Sequence, residues 1–193
     1  MKIMELIKQR RTIRKYQTRK IPQKILCEIL QAARFAPSTH NSQPWRFIIL
    51  TNKRQKQALL SKLNKNLNRF FTSVKILLRK SLEIMETAPC IIFVYNAGTF
   101  SKKINFLGKP YSSIAKMSEI QSISASIQNM HLAASSLGIG FAWLVFPLLL
   151  EKEINEIIKT DDKLVTLLVL GYPAEKPKAT TRKQLKEIAK FLK

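Results

Sequence analysis

The first segment that could carry chemistry is a cluster of basic side chains near the N-terminus. Arg10, Arg11 and Arg14 follow one another closely, with the hydroxyl of Thr12 between them. A guanidinium group presents a planar fork of N–H donors that suits a phosphate. Arg10 and Arg14 could therefore converge on one oxyanion, with Thr12 as a neutral donor. Basic residues at the end of a helix also offset its dipole, so this segment alone leaves both roles open.

A polar loop is the second candidate. Residues 36–45 read APSTHNSQPW. Pro37 and Pro44 restrict the backbone, and the hydroxyl and amide groups between them can hydrogen-bond a planar heterocycle. The loop leads directly into an apolar segment typical of a core strand, so we expect rigid structure to hold its polar groups.

Motifs for the commoner catalytic chemistries are absent from the sequence. There is no phosphate-binding P-loop and no nucleophile elbow, and the glycines at 138–140 lack the third glycine of a dinucleotide fingerprint. Cys27 and Cys90 have neither zinc-site spacing nor the number needed for a disulfide framework. His131 falls on the apolar side of a predicted helix, which is typical of a core histidine, and His40 lies in the polar loop. We therefore expect no metal site and no catalytic acid, base or nucleophile.

The composition predicts one basic domain spanning residues 1–193. The chain has 34 Lys and Arg against 12 Asp and Glu, a net charge of +22, and its length is that of a single domain. Positions 117–151 contain no Lys or Arg, which indicates core or interface. Such a charge attracts anions, nucleic acid included. Lysine is nevertheless scattered along the chain and no nucleic-acid-binding motif occurs, so a generally basic surface is favoured.

Nothing in the sequence predicts a membrane span or a secretory leader. The longest nearly apolar run, residues 137–150, is shorter than the roughly 20 residues that a span requires, and it contains Pro147. The N-terminus has only a short apolar patch before two arginines. With two unpaired-looking thiols as well, the expected compartment is the cytoplasm.

The hydrophobic patterns predict an α+β domain built around one sheet. Strands are predicted at residues 45–50, 89–95, 141–145 and 164–170, a loop that we expect to be mobile at 96–116, and helices at 3–11, 22–35, 53–63, 70–85, 118–137, 151–158 and 183–192. The helix at 118–137 is nearly uncharged around its circumference, which indicates neighbours on most sides. Burial in a dimer interface and burial inside one subunit both fit that pattern.

Four segments, in this order along the chain, resemble the FMN-dependent nitroreductase family. They are RRTIRKY at 10–16, APSTHNSQPWRF at 36–47, SIQNMHLAASSLGIGFAW at 126–143 and LLVLGYPAEKPKATTR at 167–182. The resemblance implies a central, mostly antiparallel sheet flanked by helices. It also implies an interlocked homodimer with two FMN sites at the subunit interface.

The resemblance implies specific cofactor contacts. Arg10 and Arg182 would hold the FMN phosphate, and Arg14 would face the polar edge of the isoalloxazine, with Arg11 and Thr12 in the same segment. The other subunit would contribute Pro37, Ser38, Thr39 and Asn41. The backbone after Gly140 would pass the flavin ring. Asn66, Asn68 and Arg69 lie where relatives bind the pyrimidine edge, but their spacing does not choose among them.

The implied function is an oxidoreductase that passes hydride from NAD(P)H through FMN to a nitroaromatic, a quinone or a similar small-molecule acceptor by a ping-pong mechanism. Because a flavin would carry the chemistry, the lack of a catalytic side chain is expected. The same scaffold could support dehalogenation or flavin destruction, and a basic nucleic-acid-associated protein without enzymatic activity is a further alternative. The positive charge favours NADPH over NADH, or an acidic electron-transfer protein as donor. The sequence names no physiological substrate.

Overall fold

Four strands form one antiparallel sheet in the computed structural model, which describes residues 3–192. They are ordered β1-β2-β4-β3. Their bounds are β1 Trp45–Leu50, β2 Cys90–Asn96, β3 Gly140–Leu144 and β4 Lys163–Gly171. Strands β2 and β4 lie at the centre and are buried on both faces, which explains why their apolar residues run on without alternation.

Helices cover both faces of this sheet. Their bounds are α1 Ile3–Gln9, α2 Gln23–Arg34, α3 Lys53–Lys65, α4 Thr72–Thr87, α5 Lys109–Ser136, α6 Glu151–Ile158 and α7 Leu185–Ile188. Helices α2 and α5 pack on the face that presents Ile92 and Val94. Helices α3, α4 and α6 pack on the opposite face, against Ile91 and Phe93. The predicted α+β architecture is confirmed, and the four strands fall within about one residue of their predicted bounds.

The predicted loop at 96–116 is wrong in its second half. The loop ends at Gly108, whose φ of 93° suits a glycine, and α5 begins at Lys109. Pro110 occupies the first turn of α5, where its missing N–H costs nothing and its fixed φ favours a helix start. Gly108 followed by Pro110 was therefore an unused signal for the start of this helix.

The predicted C-terminal helix at 183–192 is also much shorter than expected. Only Leu185–Ile188 is helical, and Ala189 is already extended. The apolar residues of the segment are exposed, including Phe191 at 82%. A short helix without a packing surface gains too little to persist, so the amphipathic pattern alone did not determine its length.

Helix α5 packs on one face of the sheet and has two different sides. Ile123, Ile127 and Met130 are fully buried against the sheet. On the other side Ile114 and Met117 are 61% and 59% exposed. One side of α5 therefore belongs to the core of the chain, and an apolar side is left uncovered. Within residues 3–192, no helix combines the length and hydropathy that a membrane span would require.

Candidate functional site

Residues 10–17, called here the N-terminal arm, run along the end of the sheet beside β3 and β4. The Ile13 N–H donates to the Phe141 carbonyl at 3.1 Å, and the Gln17 N–H donates to the Tyr172 carbonyl at 2.9 Å. The arm approaches β3 so closely that a Cβ at Gly140 would lie 2.8 Å from Cγ2 of Ile13. Backbone hydrogen bonds and this close contact therefore fix the position of the predicted basic cluster.

Three of the predicted arginines come together beside the arm. Burial lowers the pKa of Arg10, and the charges of Arg182 and Arg11 lower it further. Arg182 follows the last strand by more than ten residues, and its guanidinium donates to Thr180 Oγ1 and to the Thr181 carbonyl. Its charge nevertheless acts on Arg10, near the other end of the chain. The ion pairs found within residues 3–192 all involve other arginines and lysines. A group of cations held together in this way is suited to bind an anion.

The members of the basic cluster have different local partners. Arg11 donates to the carbonyls of Lys8 and Arg10 at 2.7 and 2.8 Å, so its guanidinium caps the C-terminal end of α1, the alternative role that the sequence had left open. The backbone N–H of Arg14 donates to the Glu175 carboxylate at 2.5 Å, and its side chain is exposed. Thr12 is partly buried and forms a bridge with Phe141. Among the arginines of the arm, Arg10 is the one whose pKa is lowered by burial.

The ring of His131, on α5, packs against Arg10. Its ring stacks on Phe141 with a centroid separation of 4.4 Å, and its Nε2 lies 3.5 Å from Arg10 Nη1 and 3.4 Å from the Arg11 carbonyl. Burial and the charge of Arg10 lower the pKa of His131 to about 4, so the imidazole is neutral near pH 7. The prediction of a core histidine is confirmed, and the same ring also borders the cluster.

A cleft of about 570 Å³ opens next to this cluster. It lies between the arm, the C-terminal end of α5, the start of β3 and residues 173–177. Arg11, His131 and Glu175 supply polar groups, and the backbone at 138–140 forms one wall. Clefts of this size commonly hold small molecules and cofactors.

The 36–44 loop adopts a strained conformation away from this cleft. His40, Asn41 and Gln43 have φ values of 50°, 50° and 44°, a region that costs free energy for residues other than glycine. Thr39 N–H donates to Ser122 Oγ on α5 at 3.2 Å, and Gln43 N–H donates to Ser38 Oγ at 3.1 Å. Ser42 Oγ is buried and has no hydrogen-bond partner within residues 3–192. Strained loops with an unsatisfied polar group are commonly ligand sites.

One protomer does not bring the loop and the arginines together. The loop is attached to α5 at Ser122 and the arginine cluster at His131, nine residues further along. A helix rises about 1.5 Å per residue, so the two attachment points are separated by roughly 13 Å along the axis. Pro37, Ser38, Thr39 and Asn41 therefore form one group, and Arg10, Arg11 and Arg182 form another.

The residues left unassigned after Trp45 have structural partners. Asn66 donates to the Lys62 carbonyl at the end of α3, and Asn68 accepts from Lys75. Arg69 forms a two-pronged ion pair with the buried carboxylate of Glu153. The Arg69 guanidinium thus binds Glu153 of α6. No group of three or more His, Cys, Asp or Glu within residues 3–192 is arranged to hold a metal ion.

Comparison with known proteins identifies the family. Residues 7–172 match the model of the nitroreductase family. A protein of Methanothermobacter thermautotrophicus named NADH dehydrogenase/NAD(P)H nitroreductase is 32% identical over 92% of this chain and 80% of its own length. The chain belongs to the nitroreductase family. The predicted resemblance is confirmed, and the protein is an oxidoreductase.

Two further similarities bear on the site. An iodotyrosine deiodinase of Thermotoga neapolitana is 27% identical over 91% of this chain and 91% of its own length. The crystal structure of a nitroreductase-type protein from Desulfovibrio desulfuricans, in complex with FMN, superposes with a TM-score of 0.75. It covers 98% of this chain and 95% of that one at 23% identity, which confirms the fold.

The residues of this chain fit FMN. The ligand's phosphate needs cationic N–H donors, and neither Arg10 nor Arg182 takes part in the ion pairs found within residues 3–192. The charge of Arg182 lowers the pKa of Arg10, so both cations contribute to the same field. Its flat ring system needs a cleft, and one of about 570 Å³ is lined by Arg11 and by His131, which contacts Arg10. Its polar ring atoms need hydrogen-bond partners, and the 36–44 loop presents hydroxyl and amide groups, with Asn41 exposed among them.

Proposed function

We propose that this protein is an FMN-dependent oxidoreductase that oxidises NADH or NADPH and reduces a small acceptor such as a nitroaromatic or a quinone. Bound FMN would supply the hydride chemistry, accepting hydride from the nicotinamide in one half-reaction and delivering it to the acceptor in the other. The observation that carries the proposal is Arg10, a partly buried guanidinium that lies beside His131 and takes part in none of the ion pairs found within residues 3–192. The charge of Arg182 acts on the same guanidinium and lowers its pKa further.

Within this proposal, each group of residues has a definite task. Arg10 and Arg182 hold the phosphate, with Thr12 as a further donor, and Arg14 faces the polar edge of the ring. His131 stays neutral and supports Arg10 from below. The backbone at the start of β3 forms the wall of the cleft. Since charge develops on the ring edge during reduction, a nearby guanidinium stabilises the reduced cofactor.

The protein is proposed to act as a homodimer. A second copy would cover the apolar side of α5, where Ile114, Met117 and Ile120 are 61%, 59% and 40% exposed. If two α5 helices cross antiparallel near residues 126–127, Ser122 of one copy comes opposite His131 of the other. The 36–44 loop of one protomer then meets the arginine cluster of its partner. This arrangement removes the separation of roughly 13 Å that exists within one protomer.

A subunit-mixing experiment tests whether the site is shared. Arg10→Gln and Asn41→Ala damage opposite halves of the proposed site, so each homodimer should bind FMN weakly. After the two variants are unfolded and refolded together, mixed dimers contain one intact site and one doubly damaged site. About a quarter of all sites should then regain wild-type affinity, given random pairing of subunits in closed two-fold dimers. No recovery would contradict a shared site.

The reaction is tested by steady-state turnover. NADH and NADPH are each combined with nitroaromatic, quinone and free flavin acceptors, and parallel-line kinetics are expected from a two-step exchange. Flavin reduction by NADPH should exceed that by NADH at low salt and lose this advantage at high salt, because screening weakens the basic surface. An acidic electron-transfer protein as donor would show the same salt dependence. Absence of turnover with every pair would contradict the proposed reaction.

Reductive dehalogenation is the second candidate, favoured by the 27% identity to an iodotyrosine deiodinase over 91% of the chain. Adding iodotyrosine to the acceptor panel separates the two candidates, since iodide release would identify this activity. Relatives of this chain include proteins named nitroreductase and iodotyrosine deiodinase, so the fold alone does not distinguish nitro reduction from dehalogenation. The family assignment indicates an enzyme, so it argues against the alternative of a nucleic-acid-associated protein without enzymatic activity.

A further inference from the structure

Glu119 is a fully buried carboxylate in the part of α5 that faces the 97–108 loop. It is the only charged residue between positions 117 and 150, and its exposure is 0%. A buried charge is costly unless hydrogen bonds replace its hydration. This residue therefore needs a reason beyond packing, and none of its hydrogen-bond partners is a proposed cofactor contact.

The loop satisfies both oxygens of this carboxylate. Oε1 accepts from the backbone N–H groups of Phe100 and Ser101 at 2.8 and 2.9 Å. Oε2 accepts from Ser101 Oγ at 2.8 Å and from Asn96 Nδ2 at 3.0 Å. Burial alone would raise the pKa of Glu119, but the hydrogen bonds from Ser101, Asn96 and Phe100 together lower it. The ionised carboxylate thus fastens residues 96–101 to α5.

The fastened segment in turn braces the 36–44 loop. The Phe100 ring stacks on the His40 ring with centroids 4.8 Å apart. The Ala97 N–H donates to the Pro44 carbonyl at 2.8 Å. His40 is one of the residues with positive φ in that loop, and a strained loop persists only where its surroundings over-determine it. These contacts supply that constraint together with the hydrogen bond from Thr39 to Ser122.

From this chain of contacts we infer that Glu119 is a positioning residue for the cofactor-binding loop. It acts through Phe100 and Ala97 to hold residues 38–43 in the strained conformation that presents their polar groups. The inference rests on the proposed function for its consequence, which is tighter FMN binding. The bracing itself is a property of the protein without a ligand.

The test uses Glu119→Gln, which keeps the size of the side chain. Its amide would point a donor at Ser101 Oγ and at Asn96 Nδ2, and Asn96 cannot turn round because its Oδ1 accepts from the Gly98 N–H at 2.9 Å. Losing hydrogen bonds to a charged group should weaken FMN binding by about tenfold. Phe100→Leu should weaken it similarly. Because both act through the same contacts, the double variant should be weaker by much less than the product.

Tyr95→Phe is the matched control. It removes one buried hydrogen bond, from the Tyr95 hydroxyl to Asn155 Oδ1 at 2.9 Å, on the opposite face of the sheet. Its stability should fall while its affinity for FMN stays at the wild-type value. If Tyr95→Phe and Glu119→Gln weaken FMN binding equally, the effect is general destabilisation and the inference is wrong.

Hydrogen exchange of the FMN-free protein gives a second, ligand-independent readout. The amides of residues 38–43 should exchange faster in Glu119→Gln than in wild type, while those of β2 and β4 stay protected. Unchanged exchange in 38–43 would overturn the inference even if FMN binding fell. If the wild-type protein takes up no FMN, the proposed function fails, and the exchange comparison still decides the role of Glu119.

Discussion

Arg10→Gln should weaken FMN binding and stabilise the cofactor-free protein. In the free protein the guanidinium is partly buried near the like charges of Arg182 and Arg11, and these conditions lower its pKa. Its charge therefore opposes folding at neutral pH. Because solvent screens a guanidinium that is only partly buried, removing the repulsion is worth at most about 1 kcal/mol. A protein of this size gains roughly 2–4 °C in Tm per kcal/mol. The cofactor-free variant should melt a few degrees higher than wild type.

The same substitution removes a charge-assisted contact to the phosphate. Such a hydrogen bond contributes about 2 kcal/mol, which corresponds to a roughly 30-fold increase in Kd. Fluorescence titration gives the Kd for FMN, and differential scanning calorimetry gives the Tm of the cofactor-free form. The opposite signs of the two effects are the signature of a residue kept for binding at the expense of stability.

Arg46→Gln is the matched control for this prediction. Arg46 pairs with Asp162 at 2.6 Å, and its side chain is 58% exposed. Losing this surface pair should leave the Kd for FMN unchanged and shift the Tm slightly downward. An Arg10→Gln protein that melts below wild type, with unchanged affinity for FMN, would refute the reasoning.

Three further predictions concern the frame of the site. Gly140→Ala places a Cβ 2.8 Å from Ile13 Cγ2, so it should push the N-terminal arm outward, lowering both Tm and FMN affinity; a wild-type Tm would contradict the close contact. Burial and the charge of Arg10 lower the pKa of His131 from 6.5 to about 4. Between pH 6.5 and 4, His131 is therefore protonated in the unfolded chain and neutral in the folded chain. Urea titrations should show stability falling as the pH drops from 6.5 to 4, and His131→Gln should flatten that slope. Met117→Lys puts a charge on the exposed side of α5, so sedimentation should show loss of dimers together with weaker FMN binding; a dimeric variant would place the interface elsewhere.

Local sequence patterns determined most of the fold. The strands at 45–50 and 164–170 and the helix after Pro22 were predictable because their apolar residues pack against a large part of the core. The segment at 183–192 has an equally good amphipathic pattern, but nothing within residues 3–192 covers its apolar residues. Hydrophobic periodicity shows which side chains of a segment could be buried, but it does not show whether the rest of the protein offers a surface for them to pack against.

The site was predictable in part for the same reason. The arm and the loop are recognisable in the sequence because clustered arginines suit an anion, and hydroxyl and amide side chains between two prolines suit a polar ligand. The support given by Glu119 was missed, although a single acid in an otherwise uncharged stretch is itself a signal. Its partners Phe100 and Ser101 come from a loop whose path no local rule predicts, and Asn96 is the last residue of β2. The influence of the Arg182 charge on Arg10 depends on the tertiary fold in the same way.

The most direct test of the account compares FMN with riboflavin, which lacks the phosphate. Isothermal titration of the cofactor-free protein should give one FMN per subunit. Losing the contacts to Arg10 and Arg182 should make riboflavin at least about 100-fold weaker, because two charge-assisted hydrogen bonds are worth about 3 kcal/mol or more. Equal affinity for the two flavins, or no binding of either, would contradict the claim that the two ends of this chain meet to hold a flavin phosphate.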